Sequence, residues 1–224
     1  MLFLKIKLSD NQHMKSHNIK HVWFDLGETI NKYSPEFTMA RDDLKHQLYS
    51  EITGKPIDDD LKTEYLDLYK NHHSNSGAFT HLGKPSDFWQ IHLAQIDKTP
   101  FYAPDERVYK TLDQLKDIVP ISLFSNIKTE EIIRSLNIIE VNPEWFTNIL
   151  SGDDVANRKP HVDGFHRIVE LSQLPAQQIL YVGDKVNADI LPAKAVGLQT
   201  CLVWDRSDEA DYSFENFAEI LELF

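Results

Sequence analysis

Three short apolar runs, Val22-Trp23-Phe24, Ile121-Ser122-Leu123-Phe124 and Ile179-Leu180-Tyr181-Val182-Gly183, each end at small polar or acidic residues. The first and third lack the alternation of polar and apolar positions that a half-exposed strand shows. Both faces of such strands must be covered, which is how strands of a parallel sheet read. Helix-like segments lie between the runs, and strands alternating with helices imply right-handed crossovers. The expected fold is therefore α/β, a doubly wound parallel sheet of Rossmann-like type. Such a sheet gathers the carboxyl ends of its strands on one edge, where ligands bind. The residues that stop the runs, Asp25, Ser125-Asn126 and Asp184, are site candidates for that reason alone. For Asp25 a turn reading competes, because Asp-x-Gly is also good turn chemistry.

The 224 residues suit one large domain, or a domain carrying an inserted module. A formal charge of −12 argues against nucleic-acid or anionic-membrane partners, since both need a basic face. No run reaches the apolar length of a membrane span, and Met1 to Leu8 is too short an apolar core for a signal peptide. A soluble cytoplasmic protein, monomer or homodimer, is expected. Cys201, the one cysteine, lies in the apolar run Cys201-Leu202-Val203-Trp204 and reads as core packing.

Along the chain, residues 1–18 read as an appendage, and 19–33 with 104–224 as the α/β core. Residues 34–103 contain no convincing strand and read as an inserted helical cap. Its first helix has Ser34 as N-cap, Pro35 behind it, Phe37, Leu44, Leu48 and Ile52 at helical spacing, and Gly54 as its stop. A second helix runs from Asp58 to about His72, with Leu61, Tyr65, Leu68 and Tyr69 on one face. A loop to Gly83 and a third helix through Phe88, Trp89, Ile91 and Leu93 complete the block. In the core, helices are expected over 104–118, 129–136, from Pro160 onward, 187–196 and 214–223. Further strands are expected over 145–151 and 198–204.

Converging carboxylates repel, and each takes up a proton unless a cation stands among them. A hard divalent ion with oxygen ligands fits, and Mg2+ commonly binds through one or two carboxylates plus substrate phosphate. Asp189 follows Asp184 by one helical turn, and Lys159, at the start of a later helix, supplies a fixed positive charge. An aspartate beside such an ion is also a known nucleophile, through aspartyl-phosphate.

The order and spacing of Asp25, Ser125, Lys159 and Asp184 with Asp189 resembles the haloacid dehalogenase superfamily, in the class with a helical cap after the first strand. The resemblance covers residues 20 to about 205. It implies a hydrolase, most readily a Mg2+-dependent phosphatase acting on a small phosphorylated metabolite. By resemblance, Asp25 is the nucleophile, and Asp25, the carbonyl of Gly27 and Asp184 hold Mg2+, with Asp189 supporting the site. Ser125 and the backbone of Asn126 would bind phosphoryl oxygens, and Lys159 would neutralise the nucleophile and the transferring group.

Two positions depart from the pattern. Gly27 stands where phosphatases usually carry a second Asp for proton transfer, and Lys185 stands where Ser or Thr is frequent. A 2-haloacid dehalogenase also lacks that second Asp, but such enzymes need no Mg2+ and generally lack Gly-Asp-x-x-x-x-Asp. A catalytically impaired binding protein is the remaining alternative. In the cap, His72-His73 and His81 are candidates for reaching substrate. Tyr65, Tyr69, Phe79, Phe88, Trp89, Phe101 and Tyr102 read as glue between helices, or as a stacking surface for a base or sugar.

Overall fold

The computed structural model describes residues 18–72, 74–102 and 104–224. The expected appendage therefore lies almost wholly outside the described residues, as does His73. The chain forms two compact units, one running to Lys32 and resuming at Ala103, the other Tyr33–Tyr102.

The first unit is built on a six-stranded parallel sheet. Its strands are β1 (His21–Phe24), β2 (Ile121–Phe124), β3 (Phe146–Leu150), β4 (Ile179–Gly183), β5 (Gln199–Val203) and β6 (Tyr212–Phe214), in the order β3-β2-β1-β4-β5-β6. Every residue of β1, β2 and β4 is buried, including the polar His21 and Ser122, which bond each other. One core cluster gathers Trp23, Phe124, Phe165, Ile168, Tyr181 and Ala193. Successive crossovers go one way from β1 to β2 and β3, then the other way to β4. The crevice of the sheet thus opens between the ends of β1 and β4, where Phe24 pairs with Val182.

The second unit contains helices α1 (Pro35–Thr53), α2 (Asp59–His72), α3 (Asn75–His81) and α4 (Phe88–Leu93). The Ser34 side chain accepts from Phe37 N–H and Gly54 ends α1 at φ 71°. Leu48, Tyr49, Leu61, Tyr65, Ala78, Phe79 and Trp89 form its core. The segment read as a loop up to Gly83 holds α3 instead. Ser74 caps that helix by accepting from Gly77 N–H, and burial of Ala78 and Phe79 outweighs the weak helix propensity of Asn-Ser-Gly. Tyr69, expected on one face with Leu61 and Tyr65, is exposed, while those two are buried. The His72 and His81 rings stack on each other at 4.2 Å.

In the core unit α5 (Glu106–Leu115), α6 (Thr129–Ile138) and α7 (Asp163–Ser172) fall where expected. The expected helix over 187–196 divides into a π turn, Val186–Ile190, and α8 (Leu191–Ala195). Pro192 has no N–H to continue the preceding ladder, so the α-helix starts afresh around it. At the C-terminus the single helix expected over 214–223 gives way to β6 and a 3-10 helix, Phe217–Leu223. Asn216 caps the latter by accepting from Ala218 N–H, and Tyr212–Phe214 bond to β5. Among the described residues no helix is long and apolar enough to cross a membrane.

His21 on β1 is buried, with Nε2 2.8 Å from Ser122 Oγ. Burial pushes its pKa down from 6.5 to about 4. The unfolded chain therefore takes up the proton first as pH falls. The stability that His21 contributes is complete above pH 6.5 and is lost as pH drops toward 4. After allowance for solvent screening this is about 1–2 kcal/mol. Denaturant titrations at pH 7 and pH 4.5 should show wild type losing that much more stability than His21→Gln. Equal losses in the two proteins would refute the assignment.

Candidate active site

β1 ends with Phe24, and the next residue, Asp25, donates its N–H to Val182 O of β4 at 2.9 Å. That bond continues the ladder one residue past the strand and fixes the Asp25 side chain at the crevice. Asp184 leaves β4 at the same edge. The π turn that follows brings Asp189 back underneath, its N–H bonded to Lys185 O at 2.9 Å. Asp25, Asp184 and Asp189 each place an oxygen within 4.8 Å of the others.

Lys159 reaches this cluster from the loop between β3 and α7. Its ammonium donates to Asp25 Oδ1 at 2.6 Å, Asp189 Oδ1 at 2.7 Å and the Tyr181 hydroxyl at 2.9 Å. The side chains of Lys159, Asp25 and Asp189 are 5%, 10% and 2% exposed, so these charges face one another with almost no water between them. Burial alone would lower the Lys159 pKa, but Asp189 and Asp25 override it and hold the ammonium well above its usual value. Burial pushes Asp25 up to about 6 against the pull of Lys159. Burial likewise raises Asp184, opposed by Lys185.

The other expected residues divide into two groups. Asn126 is committed to holding Lys159: its amide donates to Lys159 O at 2.9 Å and accepts from Lys159 N–H at 2.8 Å. Ser125 is buried at the end of β2, with its N–H bonded to Leu150 O at 3.0 Å. Gly27 sits in the loop after β1, bridged to Asn31. The left-handed residue of that loop is Glu28, at φ 64°. Lys185 is ion-paired with Asp184 at 2.9 Å.

Sequence reasoning missed Thr29, Tyr181 and Trp204. The buried Thr29 hydroxyl lies 3.3 Å from both Asp25 Oδ2 and Asp184 Oδ1 and can bridge them. Its position four residues after Asp25, where a tight loop returns to the strand end, is the signal that could have found it. Tyr181 is hidden in an apolar strand, and only the fold turns its hydroxyl toward Lys159. Trp204 lies just past β5, and its indole N–H donates to Thr29 O at 2.9 Å.

The donor set suits a hard divalent cation. All three groups are carboxylates, and their oxygens are close enough to share one ion. They are not equivalent, however. Asp189 already has Oδ1 on Lys159 and Oδ2 accepting from Lys185 N–H at 3.2 Å. Asp25 Oδ2 and Asp184 Oδ1 have only the long contacts to Thr29 and a 3.3 Å contact from Lys185 to the latter. Asp25 and Asp184 are thus the oxygens open to a cation, and Asp189 is the group that positions Lys159.

Asp189 fits beneath the strand because residue 183 is glycine. A Cβ on Gly183 would lie 2.4 Å from Asp189 Cβ and 2.6 Å from its Cγ. Gly183→Ala should therefore displace Asp189 and destabilise the protein by about 1–3 kcal/mol, the usual cost of overpacking. Thermal melts of the two purified proteins check this, and an unchanged midpoint would contradict the packing described.

The comparisons with known proteins agree with this geometry. Over 79 residues the chain is 37% identical to phosphoglycolate phosphatase of Escherichia coli K12, covering 35% of this chain and 31% of that protein. The match therefore spans about a third of that relative's length. Glyceraldehyde 3-phosphate phosphatase of Methanocaldococcus jannaschii is 24% identical over 92% of this chain and 96% of its own. Among solved structures, a Bacillus subtilis chain bound to magnesium superposes with a TM-score of 0.65 at 18% identity, over 92% of this chain and 98% of that one. The sequence pattern described as haloacid dehalogenase-like hydrolase matches residues 22–203, and the chain belongs to that family.

Proposed function

We propose that this hydrolase is a Mg2+-dependent phosphatase that acts on a small phosphorylated metabolite, with Asp25 as nucleophile. The observation that carries the reading is the buried Lys159 ammonium held between Asp25 and Asp189, with Asp184 alongside. This places fixed positive charge against the nucleophile and leaves carboxylate oxygens facing the same point. The phosphatase names of the two relatives support the same reading. In it, Tyr33–Tyr102 is the cap, the part to which substrate choice falls.

Asp25 attacks phosphorus, the bond to the leaving oxygen breaks, and an aspartyl-phosphate forms. Water then cleaves that acyl-phosphate, releasing phosphate and restoring the carboxylate. Lys159 offsets charge on Asp25 before attack and on the phosphoryl oxygens during it. Thr29 keeps Asp25 and Asp184 in register, and Ser125 offers its hydroxyl to a phosphoryl oxygen. A Mg2+ held by Asp25, Asp184 and the Gly27 carbonyl would neutralise further charge on the transferring group.

A phosphate-release screen over small phosphorylated metabolites, with and without Mg2+, tests the assignment. Asp25→Asn should abolish turnover in a folded protein, because the amide keeps the shape but cannot attack. Mg2+ should raise the melting temperature of wild type, with a stabilisation of about 2.7 kcal/mol at a hundredfold excess over Kd. Asp184→Asn should lose most of that rise, and an unchanged response would remove the metal site from this place.

Gly27 is the observation that favours a second reading, dehalogenation of a 2-haloacid, in which no leaving-group proton is needed. Chloride release without added metal would establish it. In the phosphatase reading, Gly27 leaves the departing alkoxide without its usual acid, help typically worth about 10²–10⁴-fold. Turnover should then be slow on alkyl phosphates and recover on aryl or acyl phosphates. Gly27→Asp should accelerate the slow substrates. A rate that ignores the leaving group, with no gain in Gly27→Asp, would mean that another side chain supplies the proton.

A further inference from the structure

Trp204 has a left-handed backbone, φ 69°, a conformation unfavourable for a bulky residue. Specific contacts hold it there. Its N–H donates to Phe214 O at 2.7 Å, its indole N–H donates to Thr29 O at 2.9 Å, and its ring stacks near Phe217 at 5.8 Å. Two cations lie against the indole: Lys32 Nζ is 3.5 Å from a ring centroid, and the Arg107 guanidinium is 5.1 Å away. They differ in one respect. Arg107 is clasped by Asp105 through Nε at 3.0 Å and Nη2 at 2.6 Å. Lys32 has no carboxylate within ion-pair distance among the described residues.

Lys32 is therefore a half-buried positive charge, steadied by an aromatic face and repelled by its neighbour. Burial, and then Arg107, lower its pKa, while Glu28, Asp105 and Asp184 pull the other way from farther off. In a chain of formal charge −12 such a charge would readily have been paired had pairing been its role. The platform is also tied to the site. Trp204 holds the carbonyl of Thr29, and the hydroxyl of the same residue touches both Asp25 and Asp184.

We propose that Lys32, carried on Trp204, binds a second anionic group of the substrate, so that the preferred substrates are phosphorylated metabolites that also bear a carboxylate or a second phosphate. The inference rests on the phosphatase reading and deepens it. The ammonium donates charge-assisted hydrogen bonds to the second anion. Its desolvation is partly met in advance by the indole, which makes it a stronger donor than a fully hydrated lysine.

Unreactive phosphonates test this in the presence of Mg2+. Calorimetric titrations would compare methylphosphonate with phosphonoacetate, 3-phosphonopropionate and 4-phosphonobutyrate, a series that lengthens the spacing between phosphonate and carboxylate one methylene at a time. At least one carboxylated ligand should bind wild type about tenfold or more tightly than methylphosphonate, the worth of one charged hydrogen bond. That ratio should collapse toward one in Lys32→Met, which keeps the aliphatic stem, and should return in Lys32→Arg. The ratio is the readout, so a general loss of fold is not mistaken for loss of the subsite. A wild type that binds methylphosphonate but shows no carboxylate preference, or a preference that survives in Lys32→Met, overturns the subsite alone. A wild type that binds none of the four overturns the phosphatase reading and the subsite with it.

Discussion

The contact between Lys159 and its two aspartates is the constraint around which the sheet edge is arranged. An ammonium and two carboxylates removed from water carry a desolvation cost of several kcal/mol per ion, which their mutual attraction recovers only in good geometry. Distances of 2.6 and 2.7 Å, with the Tyr181 hydroxyl at 2.9 Å, provide that geometry. Removing one partner from such a group strands the others, so the arrangement persists only if several elements hold it together. β1 supplies Asp25, β4 supplies Tyr181, the π turn supplies Asp189, and Asn126 beyond β2 anchors the Lys159 backbone on both sides. Four stretches far apart in sequence, at 25, 126, 159 and 181–189, are thereby committed to one point at the crevice.

The sheet was legible because burial on both faces leaves a mark that survives without any alignment: four consecutive buried residues in β1 and five in β4. The strand-end residues were legible for the same reason, since a parallel sheet turns sequence position into a place on one edge. Asp25, Lys159, Asp184 and Asp189 accordingly meet where the pattern put them. What escaped was of another kind. α3 depends on packing of Phe79 and Ala78 that outweighs the poor helix formers Asn75-Ser76-Gly77 at its start. β6 is three residues long, too short to carry a period. The work of the Asn126 side chain escaped too: only the fold shows it used, donor and acceptor both, on the chain that bears Lys159.

Of the four non-glycine residues with left-handed backbone among the described residues, Glu140 and Gln173 follow helix ends and the other two lie at this edge. Glu28 and Trp204 both take left-handed conformations without being glycine, at φ 64° and 69°. Each flanks Thr29, Glu28 through the chain and Trp204 through the indole hydrogen bond. Strain of this type persists where neighbouring contacts over-determine the backbone, and such places cluster at functional sites. Here the result is a hydroxyl set between two carboxylates, a position that a relaxed turn after β1 would have no reason to occupy.

The two departures from the family pattern act in one direction when their charges are counted. With all groups ionised, Asp25, Asp184 and Asp189 face Lys159 and Lys185, a sum of −3 and +2, or −1. A second aspartate at Gly27 would add one negative charge, and a hydroxyl in place of Lys185 would remove one positive charge. The site is therefore two units more positive than the pattern it resembles. At effective dielectric constants near 20, unit charges about 4 Å apart interact by about 4 kcal/mol, so two units are a large change for a bound anion. Lys185 is half exposed, so its pairing with Asp184 is worth less than the buried contacts of Lys159. In the proposed phosphatase, what Gly27 would remove in proton transfer the same edge would gain in its hold on negative charge. On the proposed reading Lys32, without a carboxylate at ion-pair distance among the described residues, would extend that gain outward from the phosphoryl position.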